Sequence, residues 1–162
     1  MVDLKRMSSS SSIAEVNHWR GRCLDDFARA EQAIVKFMER WQDTSPATAP
    51  TLAEGASARS RNVLTALQKH YSEDQNAKGL VKLLGLWKHR EQDRNELVHG
   101  LFTIKSNSDG WVLINRTIAV KKKVATSREQ MQTAAQAEAF RLAVTSERKA
   151  LESALSQFNG FD

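Results

Sequence analysis

Arg94-Asn95-Glu96-Leu97-Val98-His99-Gly100 is the stretch whose residue types and spacing are suited to chemistry. A guanidinium is a planar fork that grips a phosphate through two parallel hydrogen bonds. An imidazole gives and takes a proton near neutral pH. Arg94 falls where the surrounding helical pattern asks for an apolar residue, and a charge beside a core is expensive to desolvate. Two arrangements fit this spacing. In one, Arg94 lies about one and a half turns before His99, the helix end unwinds, and both side chains face one small space. In the other, Arg94 pairs with Glu31, Glu91 or Asp93 as a half-buried ion pair, and His99 caps a helix.

The elements that must position these residues are read from apolar periodicity. A first helix is predicted from Ile13 to Trp41, with Ile13, Val16, Leu24, Phe27, Ala30, Ile34, Phe37, Met38 and Trp41 on one stripe that Arg20 interrupts. Ser12 and Glu15 have the spacing of a capping box at its start. Residues 1–12 carry the run Ser8–Ser12 and read as a disordered tail. Pro46 ends the first helix, and residues 43–56 read as a mobile linker. A second helix follows over 56–71 and a third over 77–98, the latter lined by Leu80, Leu83, Leu84, Trp87, Arg94 and Val98. Gly100 is expected to end it in a left-handed conformation.

The period then changes to two. Leu101–Lys105 and Trp111–Ile114 read as strands joined through Asp109-Gly110, a hairpin signal. Phe102, Ile104, Trp111 and Leu113 share a face if that turn has two residues. Ile118 and Val120 extend the second strand or start a third. A last helix is predicted from an N-cap at Thr126 or Ser127 to about Phe158, with Asn159-Gly160 after it. The expected architecture is therefore all-α, one domain over 13–162: four antiparallel helices with a small β-hairpin inserted at about 101–121, before the last long helix.

Bulk properties narrow the function. With 162 residues the chain can hold one real core. Cys23 stands alone, which removes intrachain disulfides and cysteine cages for zinc. The histidines at 18, 70, 89 and 99 show no metal-binding spacing, so neither a metal nor a cofactor is expected. No apolar run approaches membrane-spanning length and no secretory signal core is read, so no membrane partner and a cytoplasmic location are expected. A net charge of +5 favours a polyanion partner mildly, because the basic residues are scattered apart from Lys121-Lys122-Lys123.

Arg94-Asn95-Glu96-Leu97-Val98-His99 resembles the Arg-polar-x3-His form of the motif of the HEPN superfamily, the "higher eukaryotes and prokaryotes nucleotide-binding" domains. The order of elements is similar as well, with the motif ending the third helix ahead of an insertion. Six residues carry the specific part of this resemblance. It implies an all-α HEPN-like bundle and a metal-independent endoribonuclease of toxin or phage-defence type, with RNA as substrate and an antitoxin protein as a partner. Arg94 would hold the scissile phosphate and stabilise its developing charge. Asn95 would orient the site or bond to RNA. His99 would move a proton as a ribose 2′-hydroxyl attacks, leaving a 2′,3′-cyclic phosphate and a 5′-hydroxyl. One chain supplies a single histidine of the motif, whereas this chemistry needs a base and an acid, so the resemblance implies a homodimer that joins two motifs. Some members are non-catalytic, acting as nucleotide-binding modules or protein-interaction scaffolds, and that is the alternative function.

Further RNA contacts are expected from Arg20, on the stripe of the first helix, from Trp111 beside the hairpin turn, and from Lys121, Lys122 and Lys123. Each has an ordinary use too: Arg20 reaching out to solvent, Trp111 packing in the core, and the lysines lying at a solvated strand end.

Overall fold

A computed structural model describes residues 4–121 and 124–160. Four helices and three strands follow in the order α1 (Leu4–Thr44), α2 (Ala56–His70), α3 (Gln75–His99), β1 (Leu101–Asn107), β2 (Gly110–Lys121), β3 (Val124–Thr133) and α4 (Ala134–Gln157). Among the described residues no helix is long and apolar enough to cross a membrane. The chain divides into two compact units. One comprises Met1–Leu24 and Asp93–Ala143, the other Asp25–Gln92 and Val144–Asp162.

The first unit holds the sheet. Its strands form an antiparallel meander in the order β1-β2-β3. Alternation sends Phe102 and Ile104 of β1 and Trp111 and Leu113 of β2 to one face, with Ile104 directly opposite Leu113. Trp19, on the early part of α1, packs on Trp111 and Phe140 with ring centroids 6.1 and 6.2 Å apart. Its Nε1–H donates to the Ala137 carbonyl at 2.7 Å, which satisfies the one polar group that burial of an indole brings inside.

The second unit is helical. Phe27 of α1 meets Trp87 of α3 at 5.3 Å. Trp41, Tyr71, Phe37 and Phe158 form an edge-to-face cluster with centroids 5.5 to 5.8 Å apart. Fully burying a side chain such as Phe37 or Phe158 contributes about 1.5–3 kcal/mol. Arg40 donates to the last carbonyls of α4, with Nη2 at 2.7 Å from Leu155 O and 3.0 Å from Phe158 O. Asp26 and Arg148 form a buried ion pair between α1 and α4.

Several expectations are corrected. The all-α, four-helix class with a hairpin gives way to an α+β chain with a three-stranded sheet, because 124–133 is a strand and not the start of the last helix. α4 begins after Thr133, where a reciprocal box closes its first turn: Gln136 N donates to Thr133 Oγ1 at 3.3 Å and Thr133 N to Gln136 Oε1 at 2.9 Å. The hairpin loop is Ser108-Asp109, since Asn107 pairs with Gly110, which opens β2 at φ +119°. α1 begins at Leu4, so residues 4–12 of the expected disordered tail are helical. Ser12 lies buried within the helix and accepts from Ser106 Oγ of β1 at 2.9 Å, and Ser11 Oγ donates to Glu15. Residues 43–56 are tied rather than loose, with Trp41 Nε1 donating to Thr48 Oγ1 at 3.1 Å.

Candidate functional site

The end of α3 presents the motif. Leu97 is buried at 5% exposure and faces the unit interior. Arg94 is half-buried, and Asn95 and His99 are exposed. Arg94 makes no hydrogen bond or ion pair with any described group, so none of Glu31, Glu91 and Asp93 serves as its partner. Glu31 is taken by Arg59, and Glu91 accepts from Ser60 Oγ. Glu96 pairs with Arg128 of β3 at 3.6 Å.

The helix does not unwind at its end. α3 stays α-helical through His99, and Gly100 N still donates to Glu96 O at 2.9 Å. Five residues on an intact helix turn about 140° and rise about 7.5 Å. Arg94 and His99 of one chain therefore diverge around α3, and the expected convergence within one protomer is corrected.

Arg20 holds this terminus in place. Its Nε donates to Leu97 O at 2.7 Å and its Nη2 to Val98 O at 3.3 Å, two carbonyls that have no partner within the helix. The guanidinium also lies 4.9 Å over the Phe102 ring. Arg20 is thus a positioning residue, half-buried with its guanidinium engaged by the end of α3. Trp111, another expected RNA contact, is 6% exposed and packed at a tilt against Trp19. Lys121 ends β2, while Lys122 and Lys123 lie outside the described residues.

Gly100 is needed for a reason other than a left-handed cap; among the described glycines only Gly110 has positive φ. A Cβ on residue 100 would collide with Asn115 Oδ1 and with the Glu96 carbonyl. β2 therefore seats its Asn115 directly against the last turn of α3. Replacing Gly100 by Ala is expected to destabilise the protein by about 1–3 kcal/mol through overpacking. Urea unfolding measures it, and an unchanged midpoint would show that the contact is slack.

The opposite face of α3's last turns borders a cleft of about 470 Å³ within the sheet-bearing unit. Trp19, Phe102 and Phe140 form its apolar side. Its polar side carries carboxamides from β2, β3 and α4, and the carboxylates of Asp93 and Glu96. Among the described residues no cationic side chain lines it, although Arg128 pairs with Glu96 beside it. Asn115 Oδ1 is buried against Gly100 and finds no hydrogen-bond donor among the described residues. Gln130 is engaged: in the orientation that satisfies both its ends, it donates to Glu96 Oε2 at 3.1 Å and accepts from Arg128 Nη2 at 2.6 Å. Gln132 makes no hydrogen bond with a described group.

None of the carboxamides that line the cleft stood out in the sequence. The signal was available at Asn115, which continues the inward series Trp111, Leu113 with a carboxamide, as Arg94 continues an apolar stripe with a guanidinium. Comparison of the chain with family models, with curated proteins and with solved structures returns no match.

Proposed function

We propose that the chain is a metal-independent endoribonuclease whose site is completed across a homodimer. The observation that carries this reading is a half-buried Arg94 with no described partner, on a helix end that also exposes Asn95 and His99. A buried or half-buried guanidinium without an acceptor is costly in a structural role, and a phosphate is an acceptor of matching geometry. The resemblance to the HEPN motif supports the same assignment. Because Arg94 and His99 diverge within a chain, each Arg94 would act with the partner's His99. An isologous contact brings such pairs together twice about one twofold axis.

In this reading Arg94 neutralises the charge that builds on the phosphate. At each of the two sites the partner's His99 accepts the proton of the 2′-hydroxyl, and water returns a proton to the leaving 5′-oxygen. Asn95 bonds to the RNA. The location is cytoplasmic, and a toxin role would add an antitoxin protein that covers the α3 terminus.

Incubation with total RNA in EDTA tests the reading. Cleavage yielding 2′,3′-cyclic phosphate ends, lost in both Arg94→Ala and His99→Ala, is the expected result. Activity that persists in either variant removes the role given to that residue. The divergence of the two side chains also favours a second reading, in which this surface binds RNA without cutting it. Binding that needs Arg94 but produces no cleavage in the dimer would establish that alternative.

A further inference from the structure

The sheet has two faces, and only one is packed. Trp111 and Leu113 of β2 turn to the buried side. Pleating sends Ile114, Arg116 and Ile118 the other way, beside Leu101 of β1 and Glu129 and Met131 of β3. On this outer face Leu101, Ile118 and Met131 are 62%, 60% and 70% exposed. Apolar side chains scattered singly on a surface need no explanation, but a group of them on one face marks an interaction site.

The rows across this face show what kind of surface would cover it. Ile114 stands opposite Met131, and one row along Arg116 stands opposite Glu129. Arg116 and Glu129 are both exposed and of opposite sign, yet no ion pair joins them and neither bonds to another described residue. A twofold axis lying along the sheet between β2 and β3 exchanges these two columns. Laid face to face about that axis, one copy sets Ile114 over the partner's Met131 and Arg116 over the partner's Glu129. The symmetry makes each contact twice. Sheets stack about 10 Å apart, a gap that two long facing side chains fill. The face is therefore complementary to itself in apolar character and in charge. A polyanion does not match it, because Glu129 lies beside the apolar row. With strands about 4.8 Å apart, Leu101 lies roughly 7 Å to the side of the axis. It follows His99 by two residues, so the same contact carries the two α3 termini to the flanks of the interface.

From an uncovered apolar row and an unpaired Arg116 and Glu129 in exchangeable positions, we infer that the outer face of the sheet is a dimer interface between two copies of this chain. The inference deepens the nuclease reading and rests on it in one respect, that it names the surface joining the two motifs. The contact itself needs neither RNA nor cleavage.

Sedimentation equilibrium of the full chain at micromolar concentrations tests it. The wild type is expected to be a dimer. Arg116→Glu sets carboxylates against carboxylates across the axis, and Glu129→Arg sets guanidinium groups against each other, twice in each dimer. Each substitution should weaken the dimer roughly tenfold or more. An equimolar mixture of the two variants restores both attractions, so the mixed dimer should form at least tenfold more tightly than either variant alone. Met131→Glu is the further variant, should a charge reversal fail to fold, and should also weaken the dimer. A monomeric wild type overturns the proposal, in favour of a different protein covering this face. A dimer indifferent to these substitutions, or a mixture without preference for the mixed dimer, overturns it as well. A dimer that responds as expected in a protein that cuts no RNA leaves the interface standing and removes the nuclease reading. Cleavage by a dimer that ignores all three substitutions does the reverse.

Discussion

Mixing Arg94→Ala protomers with His99→Ala protomers is expected to restore RNA cleavage that neither variant shows alone. Removal of His99 as proton-transfer group should lower the rate roughly 10²–10⁴-fold, and loss of the phosphate-holding Arg94 roughly 10²–10³-fold, by analogy with a lost oxyanion donor. If each site takes Arg94 from one protomer and the partner's His99, a mixed dimer contains one intact site and one doubly defective site. With random exchange half the dimers are mixed, so recovery approaches roughly a quarter of wild-type activity. The measurement is the initial rate of cleavage in EDTA after exchange, against the same variants kept apart. Two active single chains would give no recovery on mixing. The prediction follows from α3 remaining helical through His99, which turns the two side chains about 140° apart.

The helices were legible because their apolar residues recur at three and four. Of the stripe read for α1, Val16, Phe27, Ala30, Ile34, Phe37, Met38 and Trp41 are buried, while Ile13 is exposed, Leu24 is half-buried, and Trp19 and Cys23 complete the buried face. The third strand was not, because the positions on the face it shares with Leu113 and Asn115 are the polar Arg128, Gln130 and Gln132. A strand with polar side chains on both faces has no apolar alternation to read, and the same three residues border the cleft or pair with Glu96. The feature that hid the strand is thus the one that makes it interesting. The helical serine run was misread from composition alone, since nothing local announces that Ser12 will meet Ser106 of β1.

Arg20 shows the limit from the other side. Its place on an apolar stripe marked it as unusual, and it is unusual, but as the donor that satisfies Leu97 and Val98 carbonyls some 77 residues away in sequence. A charged residue on a core stripe signals a buried obligation. Whether the partner is a substrate, a carboxylate or a helix terminus depends on contacts that periodicity does not encode. Arg94 and Arg20 carry the same sequence signal, and of the two only Arg94 lacks an acceptor among the described residues.

Asp26→Ala is expected to cost about 3 kcal/mol of stability, near the lower end of the range for breaking a buried ion pair from one side. Asp26 and Arg148 side chains are 10% and 9% exposed, with Nε 2.7 Å from Oδ1. Asp26 Oδ2 also accepts from Thr145 Oγ1 at 2.6 Å. Removing the carboxylate strands that hydroxyl together with part of a guanidinium. Burial acts to lower the pKa of Arg148, but hydrogen bonding and charge from Glu152 and Asp26 outweigh it and hold the pKa above its ordinary value. Arg148 therefore stays charged when Asp26 is gone. Glu152, a more exposed partner one helical turn on, keeps its contact with Nη1 and prevents a larger loss. Replacing both members, Asp26→Leu with Arg148→Met, removes the two charges together, so the double variant should be more stable than Asp26→Ala. Urea denaturation of the three proteins decides it. A single variant within 0.5 kcal/mol of wild type, an order-of-magnitude bound for surface changes, would mean that water reaches this pair and that it contributes little to the helical unit.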